Sequence, residues 1–307
     1  MKILLIALVV LLAFAYFTPS EAVVYRLNSE FQFIADSDSE KQYIVGLGGE
    51  AIYNKETDTK ASLLIGTHTF RNEGTKNFEF LSLKGSTILQ KDLRIEGRLS
   101  LYSGTSWNPI LFGGTLSYKP TAKVYLEASY DRELVDTLKA VKAKDWVDTS
   151  SFSVDYELMR ELIVVGTYYH QHFKDHNDKD GLVGKLVYTP QKYSWLNLSG
   201  YYKRVSSEFK SRLYFSPDKN EEVVATVQIK KAIINDNYIG RLKVGFGHQW
   251  IKDSGNHTDK SLSLVEGGIK GWFNDHWGID IYAGYTNYRK YGNYSRFYSF
   301  LSLIYSF

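Results

Sequence analysis

The sequence predicts an all-β protein: a transmembrane antiparallel up-and-down β-barrel of about sixteen strands. Three observations carry that reading. An apolar leader opens the chain, segments of alternating polarity separated by turn chemistry fill the rest, and the last segment ends on an aromatic residue.

The leader has the three parts of an export signal. Lys2 supplies a positive start, Ile3 to Phe17 form an uncharged apolar run, and Ser20-Glu21-Ala22 places small residues at a cleavage site. Cleavage is expected after Ala22, leaving residues 1–22 as signal peptide and 23–307 as one barrel domain. The run falls short of the roughly 20 residues of a spanning helix, which argues against a membrane anchor. The chain contains no Cys, so it has no lipoprotein signal, no disulfide and no thiolate metal site.

Composition agrees. Tyr (24), Phe (17) and Trp (6) are abundant while Pro is scarce (5). Mean hydropathy is −0.28, unlike a helical membrane protein, and no second long apolar run follows the leader. A barrel looks water-soluble on average because every second strand residue faces a wet interior. A net charge of +3 is too small to point to nucleic acid.

Period-two alternation places strands near 24–35, 42–53, 61–71, 76–89, 92–103, 108–119, 123–133, 150–159, 162–174, 181–190, 194–207, 221–233, 238–252, 260–273, 276–289 and 295–307. Each is long enough to cross a bilayer when tilted. The connections Leu89–Asp92, Lys119–Ala122, Met159–Glu161, Thr189–Lys192, Asn235–Asn237 and Phe273–His276 carry tight-turn chemistry. Between them lie longer polar stretches: Asn72–Lys76, Ser103–Pro109, Leu134–Thr149, Lys174–Asp180, Ser206–Asn220, Asp253–Asp259 and Lys290–Asn293. Alternating short and long connections, with an even strand number, predict both termini on the periplasmic side of an outer membrane.

Parity assigns the faces. A lipid-exposed Arg or Lys at mid-membrane costs roughly 2–4 kcal/mol, so the charged parity must face the lumen. Open sheet edges are not tolerated in hydrocarbon, so the sheet must close. The expected inward set includes Arg94, Glu96 and Arg98, then Tyr125, Glu127, Asp155 and Glu157, then Tyr201, Lys203, Lys230, Arg241, Lys243, Glu266, Asp280 and Tyr282, with Tyr102. These residues are the candidates for a substrate path. Mixed charge suits a neutral, weakly cationic or small polar solute better than a strongly anionic polymer. The alternative is that the charges pair across strands to stiffen the wall. Inward Tyr rings either stack on sugar faces or pack against neighbours. Segments 76–89 and 162–174 alternate too poorly for their faces to be read.

Trp195, Trp250, Trp272 and Trp277, with Tyr118, Tyr188 and Tyr305, sit at strand ends and read as interfacial girdles. His170 and His172 share one face, with Asp175 and His176 following; such a cluster at a polar rim is expected without a metal. No phosphate loop or selected nucleophile emerges, so neither catalysis nor a cofactor is expected.

In the C-terminal third, Ser211-Arg212-Leu213-Tyr214-Phe215-Ser216-Pro217, Gly245-Phe246-Gly247-His248-Gln249-Trp250, Trp277-Gly278, Tyr282-Ala283-Gly284-Tyr285 and the terminal strand stand in order. This stretch resembles the barrels of exopolysaccharide export porins that serve cellulose and poly-N-acetylglucosamine synthesis, and the small YaiO-type barrels. The resemblance implies a conduit guiding secreted polysaccharide. The chain lacks the tetratricopeptide region of the large members, which implies either a separate periplasmic partner or a YaiO-like barrel whose duty the resemblance does not fix. Terminal Phe307 resembles the signal read by the barrel-assembly machinery, and lipid with lipopolysaccharide is the expected surround. A general or solute-specific diffusion porin, with Leu134–Thr149 or Ser206–Asn220 as constriction loop, remains an alternative. So does an anchoring barrel with a plugged lumen.

Overall fold

The computed structural model describes residues 23–54, 58–234, 237–287 and 294–307. The expected signal peptide, most of the Asn235–Asn237 turn and the Lys290–Asn293 stretch lie outside the described residues. Sixteen strands follow in order: β1 (Val24–Asp36), β2 (Lys41–Asn54), β3 (Thr59–Asn72), β4 (Gly74–Gln90), β5 (Leu93–Gly104), β6 (Ile110–Thr121), β7 (Val124–Leu134) and β8 (Trp146–Met159). Then come β9 (Leu162–Phe173), β10 (Asp178–Tyr188), β11 (Leu196–Ser207), β12 (Lys219–Ile234), β13 (Tyr238–Asp253), β14 (Asn256–Trp272), β15 (Trp277–Thr286) and β16 (Arg296–Ser306). One short helix, α1 (Leu138–Lys142), lies between β7 and β8.

Each strand pairs antiparallel with its sequence neighbours, and β16 pairs with β1 from Arg26↔Ser306 to Asp36↔Arg296, closing the ring. Closure leaves no unpaired edge, the one arrangement of strands that hydrocarbon tolerates. The exterior parity carries Leu47, Leu99, Phe152, Leu186, Phe246, Ile281 and Leu303, all exposed. The opposite parity carries Arg26, Glu50, Arg98, Glu127, Lys203, Arg241 and Asp280, as the register places them around the ring. A water-soluble fold would bury the first set; a barrel in lipid exposes it.

Several boundaries differ from the sequence reading. β8 begins at Trp146, so the long connection before it spans only 135–145. The Asn72–Lys76 stretch is a tight turn at Glu73, with Gly74 at φ 140°, open only to a residue without Cβ. Asp253–Asp259 is likewise a hairpin, turning at Ser254 (φ 49°) and Gly255 (φ 83°), the positive pair that a type I′ turn requires. At the end bearing the termini, residues 189–195 form a longer connection with a 3₁₀ turn at Gln191–Tyr193. The alternation of short and long links is therefore less regular than the polar stretches suggest. Strands running past the hydrocarbon edge lose the apolar exterior residues that mark them in sequence.

Trp272 is a correction of face. It shares the inward parity with Lys270, opposite Gly278, and the Arg26 guanidinium lies 5.6 Å from its ring centroid. Its place at a strand end suggested a girdle; the register turns it into the bore.

Candidate functional site in the barrel lumen

Two arcs of charge face each other across the bore. On the first, Arg94 donates to Glu96 at 2.6 Å and its guanidinium lies 2.8 Å from Asp58. Arg98 reaches across β6 to Glu133 at 2.8 Å and Asp131 at 3.4 Å. That reach works because Gly113 stands opposite both Arg98 and Asp131 in the ladder. Tyr125 donates to Glu127 at 2.8 Å, and Ser117 donates to the same oxygen at 3.4 Å. Asp155 and Glu157 continue this parity on β8, with Asp155 opposite Tyr125. On the second arc, Arg241 lies 3.5 Å and Lys270 lies 3.6 Å from Asp280. The Arg241 guanidinium also sits 4.4 Å from the Tyr282 centroid, and Tyr282 stacks on Phe300 at 5.1 Å. Lys243 stands opposite Glu266, which accepts from Tyr298 at 2.7 Å.

The candidates therefore form local ladders. Arg94 with Glu96, Tyr125 with Glu127, and Arg241 with Asp280 and Tyr282 are brought together. Tyr201 and Lys203 on β11 stand apart from both arcs, opposite Lys185 and Glu222 respectively. Tyr282 has a guanidinium and a ring as neighbours, and Tyr102 stacks on Phe80 at 5.3 Å; these two rings pack against the wall. A cavity of about 410 Å³ beside the first arc is also lined by Glu30, Glu50, Lys60, Lys84 and Asp131. The alternation of Arg26, Asn28 and Glu30 in β1 is the sequence signal that would have found this side.

At the end opposite the termini, two connections fold over the mouth. Thr137 caps α1, accepting from the Ala140 amide at 3.1 Å. Leu138 and Val141 pack against Phe70 and Phe78 of the β3–β4 wall. Ala140 packs with Val135, Val147, Phe173 and Tyr214. Polar contacts fasten the same strap to the opposite wall: Gln42 donates to the Asp136 carbonyl at 2.8 Å, the Leu138 amide donates to Glu40 at 3.2 Å, and Arg296 reaches Asp136 at 3.4 Å. The second connection, residues 208–218, locks onto the first where the Thr137 hydroxyl donates to the Leu213 carbonyl at 2.6 Å. It is held from the side by Tyr214 and Ser211 donating to Asp175 at 2.7 and 3.0 Å. Thr137→Ala removes a cap and this cross-link together. The strap should loosen by about 1–2 kcal/mol, seen as faster proteolytic nicking within 135–145.

Asp145 ends the strap in a buried position, 2 % exposed, with Oδ2 unpartnered. Burial, then the neighbouring Asp175 carboxylate, pushes its pKa above the ordinary range. A seated strap thus binds a proton more tightly than a released one, so seating is favoured as pH falls through the raised value and costs most above it. Conductance of the reconstituted barrel should fall as the solution is acidified through the raised value, and Asp145→Asn should flatten that dependence. An unchanged profile in the variant would remove Asp145 from the strap's energetics.

No family model matches the chain, and no curated protein matches it by sequence. Solved structures match it by fold. A bacterial polysaccharide outer membrane secretin superposes with a TM-score of 0.71 at 10% identity, over 94% of this chain and 100% of the other. Pseudomonas aeruginosa OccK7 and OpdQ superpose at 0.52 and 9% identity, over 93% and 94% of this chain and 98% and 99% of theirs. The chain has the fold of an outer-membrane pore. Identities this low speak to fold alone. The strap lies at the end of the barrel opposite the termini.

Proposed function

We propose that the protein is an outer-membrane conduit for a secreted polysaccharide, held shut at its outer mouth by the strap. The observation that supports this reading most is the lumen wall. Its charges of both signs lie in opposed ladders with hydroxyls between them, which offers a neutral or weakly charged polymer many weak hydrogen bonds and no deep trap. The full-length likeness to a polysaccharide secretin supports it further. Exposed Phe307, whose amide donates to the Tyr25 carbonyl at 3.0 Å, is proposed as the handle for the assembly machinery.

A second reading is favoured by the in-folded strap itself: a solute-specific diffusion porin with residues 135–145 as constriction loop. Conductance of the reconstituted barrel separates the two. With the strap replaced by a short Gly-Ser turn, a conduit should be blocked by long oligosaccharides entering from the periplasmic side and weakly by monosaccharides. Equal block by mono- and oligosaccharides would favour the porin.

A further inference from the structure

On the membrane-facing parity of β2 and β3, Lys41 and Arg71 stand directly opposite each other. Like charges so placed destabilise an antiparallel pair. Both side chains are exposed and neither has an acidic partner among the described residues. Elsewhere on the same outer belt a carboxylate stands beside the basic groups: Asp148 beside Arg132 at 2.7 Å, Asp180 beside His170 at 3.1 Å, Asp178 beside His172 at 2.6 Å, and, where Lys219 and Lys252 are themselves opposed, Glu221 beside Lys219 at 2.8 Å. An opposed, unmatched pair points to an anion supplied from outside.

Its level is fixed by the strand. Tyr43 and Tyr53 share the exterior parity of β2. The rise between them is about 33 Å along a strand, or about 25 Å once tilted, the height of the apolar band. Lys41 lies one exterior position beyond Tyr43, whose ring meets Phe33 at 5.1 Å. The pair therefore stands among the headgroups of the outer leaflet. Beside it, a groove of about 530 Å³ is lined by Thr67, Thr69, Asn77, Glu79, Ser103 and Thr105. Thr67, Glu79 and Ser103 are in register across β3, β4 and β5, and Thr69 is opposite Asn77. Hydroxyls, an amide and one carboxylate suit sugar hydroxyls. That carboxylate is at the level of Thr67, about 13 Å along the strand from Arg71, so it does not neutralise the cations.

We propose that Lys41, Arg71 and this groove bind the phosphorylated saccharide headgroup of an outer-leaflet glycolipid. The Arg fork takes two phosphate oxygens and Lys adds a point charge, while the groove takes the sugar ring.

The test is native mass spectrometry of the full-length barrel in detergent, titrated with lipopolysaccharide. Lys41→Ala/Arg71→Ala should lower the bound fraction about tenfold, Thr69→Val/Asn77→Ala should lower it less, and Lys219→Ala/Lys252→Ala should leave it unchanged. Dephosphorylated lipopolysaccharide should bind the unmodified barrel as weakly as intact lipopolysaccharide binds the cation-pair variant. Because both cations are exposed, the variant should keep the heat-dependent gel mobility of a folded barrel. The proposal is overturned if the cation-pair variant binds like the parent. It is equally overturned if phosphatidylglycerol or inorganic phosphate displaces lipopolysaccharide as well as lipopolysaccharide itself does, since that would mark a bare anion site.

Discussion

Val141→Asp is expected to turn a nearly silent barrel into an open channel. Val141 is fully buried and packs with Phe70, Phe78 and Leu138. An unpaired carboxylate in that cluster costs about 3–5 kcal/mol, and a shift of that size raises the released fraction at least 100-fold, by about 1.4 kcal/mol per factor of ten. The wall strands do not depend on α1 for their pairing, so the barrel should still refold. The measurement is single-channel conductance in a planar bilayer. If the variant refolds and conducts no better than the parent, the strap does not close the mouth.

The second large effect is on stability. Phe246 points into the hydrocarbon near the middle of β13 and is 66% exposed. Phe246→Arg should destabilise the refolded barrel by about 2–4 kcal/mol. Lys243→Ala, on the inward parity of the same strand, should cost little, because its partner Glu266 keeps the Tyr298 hydroxyl. Urea titration in lipid vesicles compares the two. Equal costs would invert the assignment of faces.

The strand order and the faces of β5, β7, β8, β13 and β15 were legible because their lumen side is wet and their outer side oily. Legibility failed where that contrast fails. β4 turns Phe78 inward and β9 turns Phe173 inward, where the strap gives them an apolar seat, while Phe80 stacks on Tyr102 and Tyr169 lies over Gly181. Conversely, Asp148 and His170 face outward because their strands rise beyond the hydrocarbon. The start of β8 was missed for this reason. Both long connections were readable as candidate constriction loops, but not how they fold. Leu138, Ala140 and Val141, apolar in a polar stretch, were the available hint of burial; the β3–β4 wall that receives Leu138 and Val141 is three to four strands around the ring from β7 and cannot be read from local pattern. The lumen candidates were readable as a parity, whereas their pairing depends on register, which fixes who stands opposite whom.

The strap's polar anchors on the far wall straddle one particular seam. Glu40 and Gln42 follow β1, Arg296 begins β16, and Tyr294 donates to Asp36 at 3.0 Å across the same joint. This is where the first strand meets the last. The Arg296 anchor of the clasp cannot fasten until the cylinder is sewn shut, so during biogenesis the strap should be held less tightly until the final stitch, and mutants slow to join their terminal strands should leak more before they mature.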